Sequence, residues 1–107
     1  MPRFIIQKNE LGSSFYQLLS PTNSILLTGL KHEFNQSCYG EILSVRMNCV
    51  YADNYEVRLS PSKDYFFVIH SIGSGKIIGI SEMYLDLSSC EKAISLVKKY
   101  GEAAKIV

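Results

Sequence analysis

Along this chain, short runs of alternating apolar and polar residues give way, twice, to apolar residues spaced three and four apart. The alternating runs are RFIIQK (3–8), FYQLL (15–19), ILLTG (25–29), then YEVRL (55–59), YFFVI (65–69) and KIIGISE (76–82). Their aromatic and β-branched content predicts strands, and the Gly-, Pro-, Asn- and Ser-rich stretches between them predict tight turns. Connections this short favour antiparallel hairpins. Where the period changes, Cys38, Ile42, Val45 and Cys49 share one face of a predicted helix, and Cys90, Ala93, Ile94 and Val97 share one face of a second. The stretch AAKIV (103–107) is apolar enough to return as one more strand.

The two halves carry the same grammar. Ser37, Cys38, Ile42 and Val45 recur as Ser89, Cys90, Ile94 and Val97, 52 positions later, and Leu26 falls on Ile78. Earlier in the chain the offset is 51, placing Phe4 on Tyr55, Tyr16 on Phe67 and Leu18 on Ile69; one extra residue in HSIGSGK accounts for the change. A period near fifty present only twice reads as a duplicated unit rather than a solenoid. The expectation is one domain over 1–107, with repeat 1 at about 3–52 and repeat 2 at about 53–107. A unit of three strands and one helix cannot bury its sheet face alone, so two units are expected to share it. The fold class is therefore α+β: two tandem β-β-β-α repeats forming one antiparallel sheet, with both helices packed on one face.

The second helix carries the stronger local signals. Ser88 precedes Glu91 by three residues, the spacing of a capping box. Lys98 and Lys99 suit its last turn, and Gly101 follows as a stop in the C′ position. The first helix has Gly40 in its interior and Tyr39 where a capping glutamate would stand, so packing must hold it together.

IIGISEMY (77–84) leading into a serine-started helix with AISLVKK (93–99) resembles the YegP-like family of small bacterial proteins. Ala93 and Leu96 stand where that family tends to have glycine and serine, and Gly29 to His32 replace the Ser-Glu-Met-Tyr segment in the first half. The resemblance spans essentially the whole chain. It implies a sheet built from both repeats with exchange of the C-terminal strands, a covalently fused version of a dimer. It supplies no activity and no catalytic residues.

Composition narrows the function classes. A net charge of +1 provides no field to draw nucleic acid or acidic lipid. Three cysteines without a C-x-x-C pair read as free thiols in a reducing compartment. The first residues lack the basic leader and apolar core of a secretory signal, and no apolar run is long enough to span a membrane. The expected location is cytoplasmic.

Motifs that hint at chemistry mostly dissolve on inspection. GSGK (73–76) lacks the first glycine of a phosphate loop and runs into a strand, which predicts a hairpin turn. His32-Glu33 has no second histidine one turn on, and two histidines in separate elements make a poor zinc site. No metal and no cofactor is expected. Cys38 and Cys90 recur near N2 of their helices, where a thiolate would be favoured; the competing reading, preferred here, is packing at the first core-facing position.

The middle strands carry the main functional expectation. With Tyr16, Leu18, Tyr65, Phe67 and Ile69 facing the helices, alternation sends Phe15, Gln17, Leu19, Phe66, Val68 and His70 to the opposite face. Four of those six are apolar, more than a solvent-facing sheet needs. The expected function is a non-enzymatic interaction module using that face, its partner another protein, a peptide or a second copy. A thiol enzyme or redox sensor, or stacking of single-stranded nucleic acid, are the alternatives. The near-neutral charge argues against nucleic acid.

Overall fold

A computed structural model describes residues 1–107. Its elements are β1 (Arg3–Lys8), β2 (Ser14–Leu19), β3 (Ile25–Thr28), α1 (Asn35–Asn48), β4 (Tyr55–Leu59), β5 (Tyr65–His70), β6 (Ile77–Ile80), α2 (Leu87–Tyr100) and β7 (Lys105–Ile106), with a 3-10 turn at Ala52–Asn54. The fold is α+β: one seven-stranded sheet in the order β4-β5-β6-β3-β2-β1-β7, with two helices. No helix is long and apolar enough to cross a membrane.

The hairpins β1–β2, β2–β3, β4–β5 and β5–β6 are antiparallel, and β3 and β6 join the two halves through Thr28 and Ile80. The sheet is nonetheless mixed rather than antiparallel, because β7 runs parallel to β1, with Arg3 opposite Lys105 and Phe4 opposite Ile106. Only a hairpin turn obliges neighbours to run antiparallel, and none joins β7 to β1. The exit of the chain from α2 sets the direction instead.

One core of 15 buried residues lies between the sheet and the helices, with Phe4, Tyr16, Leu18, Phe67 and Ile69 below and Ile42, Val45, Cys90 and Val97 above. Two register shifts, between Leu18 and Leu19 and between Ile69 and His70, leave Leu26 and Ile78 as the extra residues opposite them. Both extra residues are buried in the core, as expected where a bulge re-aims a side chain.

The helix ends differ from expectation. α2 begins one residue before Ser88: Asp86 is the N-cap, and its carboxylate accepts the Ser89 N–H at 2.7 Å. An aspartate at that position satisfies a free N–H directly, so the Ser88–Glu91 box is not formed. Gly101 is the C-cap but stays in the right-handed helical region. Its role is close approach, since a Cβ there would lie 2.8 Å from Cys49 Sγ. α1 has no side-chain cap. Packing and side-chain bonds anchor it: Asn48 Oδ1 accepts the Ile72 N–H at 2.8 Å, and Arg46 donates to the Ala104 carbonyl at 2.7 Å.

Glycine substitutions separate crowded from open positions. A Cβ on Gly79 would lie 2.5 Å from the Tyr16 hydroxyl and 2.7 Å from Leu27 Cγ, whereas one on Gly40 meets nothing. Gly79→Ala is expected to lower stability by about 1–3 kcal/mol. Gly40→Ala should raise it by roughly 0.5–1 kcal/mol, as in any exposed helix interior. Urea unfolding of the two variants measures both signs.

Candidate interaction surface

Strand alternation is obeyed in the middle strands. Tyr16, Leu18, Phe67 and Ile69 belong to the core beneath the helices, and Tyr65 packs against it. Phe15, Gln17, Leu19, Phe66, Val68 and His70 therefore lie on the face that carries no helix. Cross-strand register lines up Glu56, Val68, Ile80, Thr28, Gln17 and Ile5 as one row across it. Phe66 flanks this row beside Arg58, and Phe15 flanks it beside Gln7.

The six side chains are not equally available. Phe15, Gln17, Phe66 and His70 are half-buried, whereas Leu19 is 8% and Val68 1% exposed, though neither is part of the main core. Val68 is small and stands between Phe66 and His70 along its strand, with Glu56 and Ile80 as cross-strand neighbours. Larger neighbours on a pleated, twisted sheet shield such a residue. The accessible part of the face thus reduces to the rims of Phe15 and Phe66, with half-buried Ile5 and Ile80 and polar groups between them.

A charged cluster closes the β5 end of this face. Glu56 Oε1 accepts from His70 Nε2 at 2.8 Å and from Arg58 at 3.0 Å. The hydrogen bond from Arg58, then that from His70, holds the Glu56 carboxyl down at about 2. His70 is pushed up, first by its bond to Glu56 and then by the Gly75 carbonyl 3.0 Å from Nδ1. The GSGK stretch supplies that carbonyl. It forms the expected β5–β6 turn, with Gly73 and Gly75 at positive φ and the Ser71 N–H donating to the Lys76 carbonyl.

The recurring thiols sit deeper in their helices than N2. Counting from the N-caps Phe34 and Asp86, Cys38 and Cys90 occupy the fourth helical position. The Cys90 N–H already bonds the Asp86 carbonyl. Both side chains are fully buried. Burial pushes both thiols up, and Glu41 near Cys38 and Glu91 near Cys90 push the same way.

Sequence reasoning missed the pairing of His32 with Glu41. Glu41, on α1, is buried; its Oε2 lies 3.1 Å from His32 Nε2 and its Oε1 accepts the Leu30 N–H at 3.0 Å. Burial pushes the Glu41 carboxyl up, opposed by the bonds to His32 and to the Leu30 N–H. The missed signal was a glutamate one position before Ile42 in a predicted apolar stripe. Gly29 leaves the room, since a Cβ there would sit 2.5 Å from Glu41 Oε1. The pair closes the β3–α1 connection, and neither residue lines a groove of the surface. The three concavities of the surface are open grooves of about 310, 220 and 300 Å³ on the helix side.

Two measurements check these assignments. The raised pKa of His70 makes its contribution to stability complete below the unfolded value of about 6.5 and lost as pH rises through the folded value. Glu56→Gln should move the His70 titration, followed by NMR, back toward the ordinary histidine range. Thiol labelling of native protein should leave Cys38, Cys49 and Cys90 protected relative to denatured protein, since all three are buried.

Comparison with known proteins follows the fold closely. Residues 73–107 match a family model described as a domain of unknown function, DUF1508. A UPF0339 protein of Pseudomonas aeruginosa is 26% identical over 91% of this chain and 87% of its own length. The UPF0339 protein YegP of Yersinia pestis is 25% identical over 90% and 85%. The solution structure of YegP from E. coli, a protein of unknown function, superposes with a TM-score of 0.90 at 25% identity, covering 98% of this chain and 90% of that one. A UPF0339 protein of Shewanella oneidensis, 19% identical, gives the same TM-score over 98% and 88%, a likeness of fold alone. In sequence over about nine-tenths of its length and in fold over nearly all of it, this chain is similar to YegP and to the other UPF0339 proteins it matches.

Proposed function

We propose that this chain is a single-domain, non-enzymatic interaction module that presents the helix-free face of its sheet to another protein. The observation that carries the reading is one-sidedness. Both helices contribute to a single core on one face, and no element of the chain covers the other, where Phe15, Phe66, Ile5 and Ile80 remain half-buried. Aromatic rims ringed by Gln17, Glu56, Arg58 and His70 suit a partner with an apolar centre and a polar edge. The buried thiols, with pKa values pushed up, favour packing over redox or nucleophilic work. Free cysteines favour a reducing location such as a bacterial cytoplasm.

In the same reading the domain arose as two tandem β-β-β-α copies. Equivalent contacts recur: Arg46 lies over the Phe4 ring at 5.9 Å and Lys98 over the Tyr55 ring at 5.7 Å. The bridge Ser14–His32 corresponds to Tyr65–Tyr84. The bulge residues Leu26 and Ile78 correspond as well. β7, from the second copy, lies on β1 of the first, which is one half of the strand exchange. Its counterpart, Ala52–Asn54, leads straight into β4 and forms a 3-10 turn instead.

The test compares facing neighbours. Phe67→Ser, in the core, is expected to cost about 3–5 kcal/mol. Phe15→Ser/Phe66→Ser should leave the thermal midpoint nearly unchanged while abolishing capture, from native lysate, of partners that bind wild type and are then verified with purified protein. Unchanged capture by the double variant would refute the proposed surface. An unfolded Phe66→Ser beside a stable Phe67→Ser would invert the facing.

A further inference from the structure

The two edges of the sheet are finished differently. β1 is covered by β7, and the N–H of Val107, the residue after it, donates to the Phe4 carbonyl at 2.9 Å. β4, the other edge, has no neighbour outside. It is five residues long, pairs with β5 without a register shift and contains no proline. Exposed edges are normally blunted by proline, bulges or charged side chains, and of these β4 carries only Glu56 and Arg58, which are bonded to each other. Here Val57 and Leu59 are 40% and 59% exposed, on a strand whose outer rim is open.

The backbone polarity of that rim follows from the hydrogen bonds. The Ser60 N–H donates to the Asp64 carbonyl at 2.8 Å, so Ser60 points toward β5. Phe67 exchanges bonds with Ser81 on the β6 side, which leaves Phe66 and Val68 directed at their partners Arg58 and Glu56. By alternation, the N–H and C=O groups of Val57 and Leu59 point away from the sheet. The Tyr55 N–H is used by the Ala52 carbonyl, while the Tyr55 carbonyl points outward.

We propose that β4 is a self-complementary edge through which two copies of this chain pair antiparallel, about a two-fold axis at Val57, into one continuous sheet. The register centred on Val57 is singled out by charge. It sets Glu56 opposite the partner's Arg58 and Arg58 opposite the partner's Glu56, in the closely spaced non-hydrogen-bonded positions. On the helix-side face it sets Val57 against the partner's Val57 and Tyr55 against the partner's Leu59. The Val57 N–H meets the partner's Val57 carbonyl, and the Leu59 N–H meets the partner's Tyr55 carbonyl, each twice by symmetry. A shift of two residues either way loses opposite-charge pairs and leaves apolar residues unmatched. The self-matching of one patch is what an isologous two-fold contact requires.

Sedimentation equilibrium on the full chain tests this across the micromolar-to-millimolar range. Wild type should show a reversible dimer, with the Val57 and Leu59 amide signals shifting with concentration. Glu56→Arg alone and Arg58→Glu alone place like charges opposite each other and should each weaken self-association about tenfold or more. Glu56→Arg/Arg58→Glu should restore it, and an equimolar mixture of the two single variants should form the heterodimer. Val57→Pro removes an outward donor without touching the β5 ladder and should give a folded monomer. Phe15→Ser, on β2, should leave the dimer intact, which separates this contact from the open-face surface. A wild type that stays monomeric throughout overturns the proposal, as does a dimer indifferent to Val57→Pro or to the charge reversals, and so does a free edge that binds foreign peptide but not itself.

Discussion

The Tyr16 ring, packed across the β3–β6 seam, is the contact on which the rest of the structure depends. It rises from β2 in the first half, and its hydroxyl donates to the Ile78 carbonyl in the second half at 2.7 Å. Two glycines make the space: a Cβ on Gly29 would overlap the ring edge, and one on Gly79 would meet the hydroxyl. Burial raises the Tyr16 phenol well above its usual range, with Glu41 adding to the effect, so it serves as a donor and stays neutral. A buried tyrosine needs a partner for its oxygen, and here the partner belongs to the other half of the chain. Burial of one half thus requires the other.

From that constraint the open face of the sheet follows by exclusion. Helices that close a shared core must lie on the same side of the sheet, which leaves the opposite face to be shielded by its own side chains. Val68 and Leu19 are shielded in this way, and the larger Phe15 and Phe66 are partly so. Of the polar groups there, Glu56 is bonded to both Arg58 and His70, which fixes the three side chains at one edge of the face. On the helix side the buried Glu41 is committed to His32 and the Leu30 N–H.

Much of this was legible in the pattern of residues. YEVRL and RFIIQK became strands with the expected bounds, because alternation and β-branching agree there with the tertiary setting. The facing of Phe66 and Phe67 was legible for the same reason. What escaped was set by contacts between distant segments. The direction of β7 depends on the exit of α2, the cap of α2 on a competition between Asp86 and Ser88, and the burial of Glu41 on the glycine at position 29. The extent of shielding around Val68 was equally hidden, since it depends on neighbours supplied by β4 and β6. Gly101 looked like a helix stop and is a contact residue against Cys49.

The central claim is that the two halves have no independent stability because they share one core across the Tyr16 seam. Native-state hydrogen exchange across a range of denaturant tests it on the intact chain. The slowest amides of β2 and β5 should exchange through the same global opening, their free energies agreeing within about 1 kcal/mol and falling with the same denaturant dependence. Exchange of either half through a separate opening several kcal/mol below the global one would contradict the account.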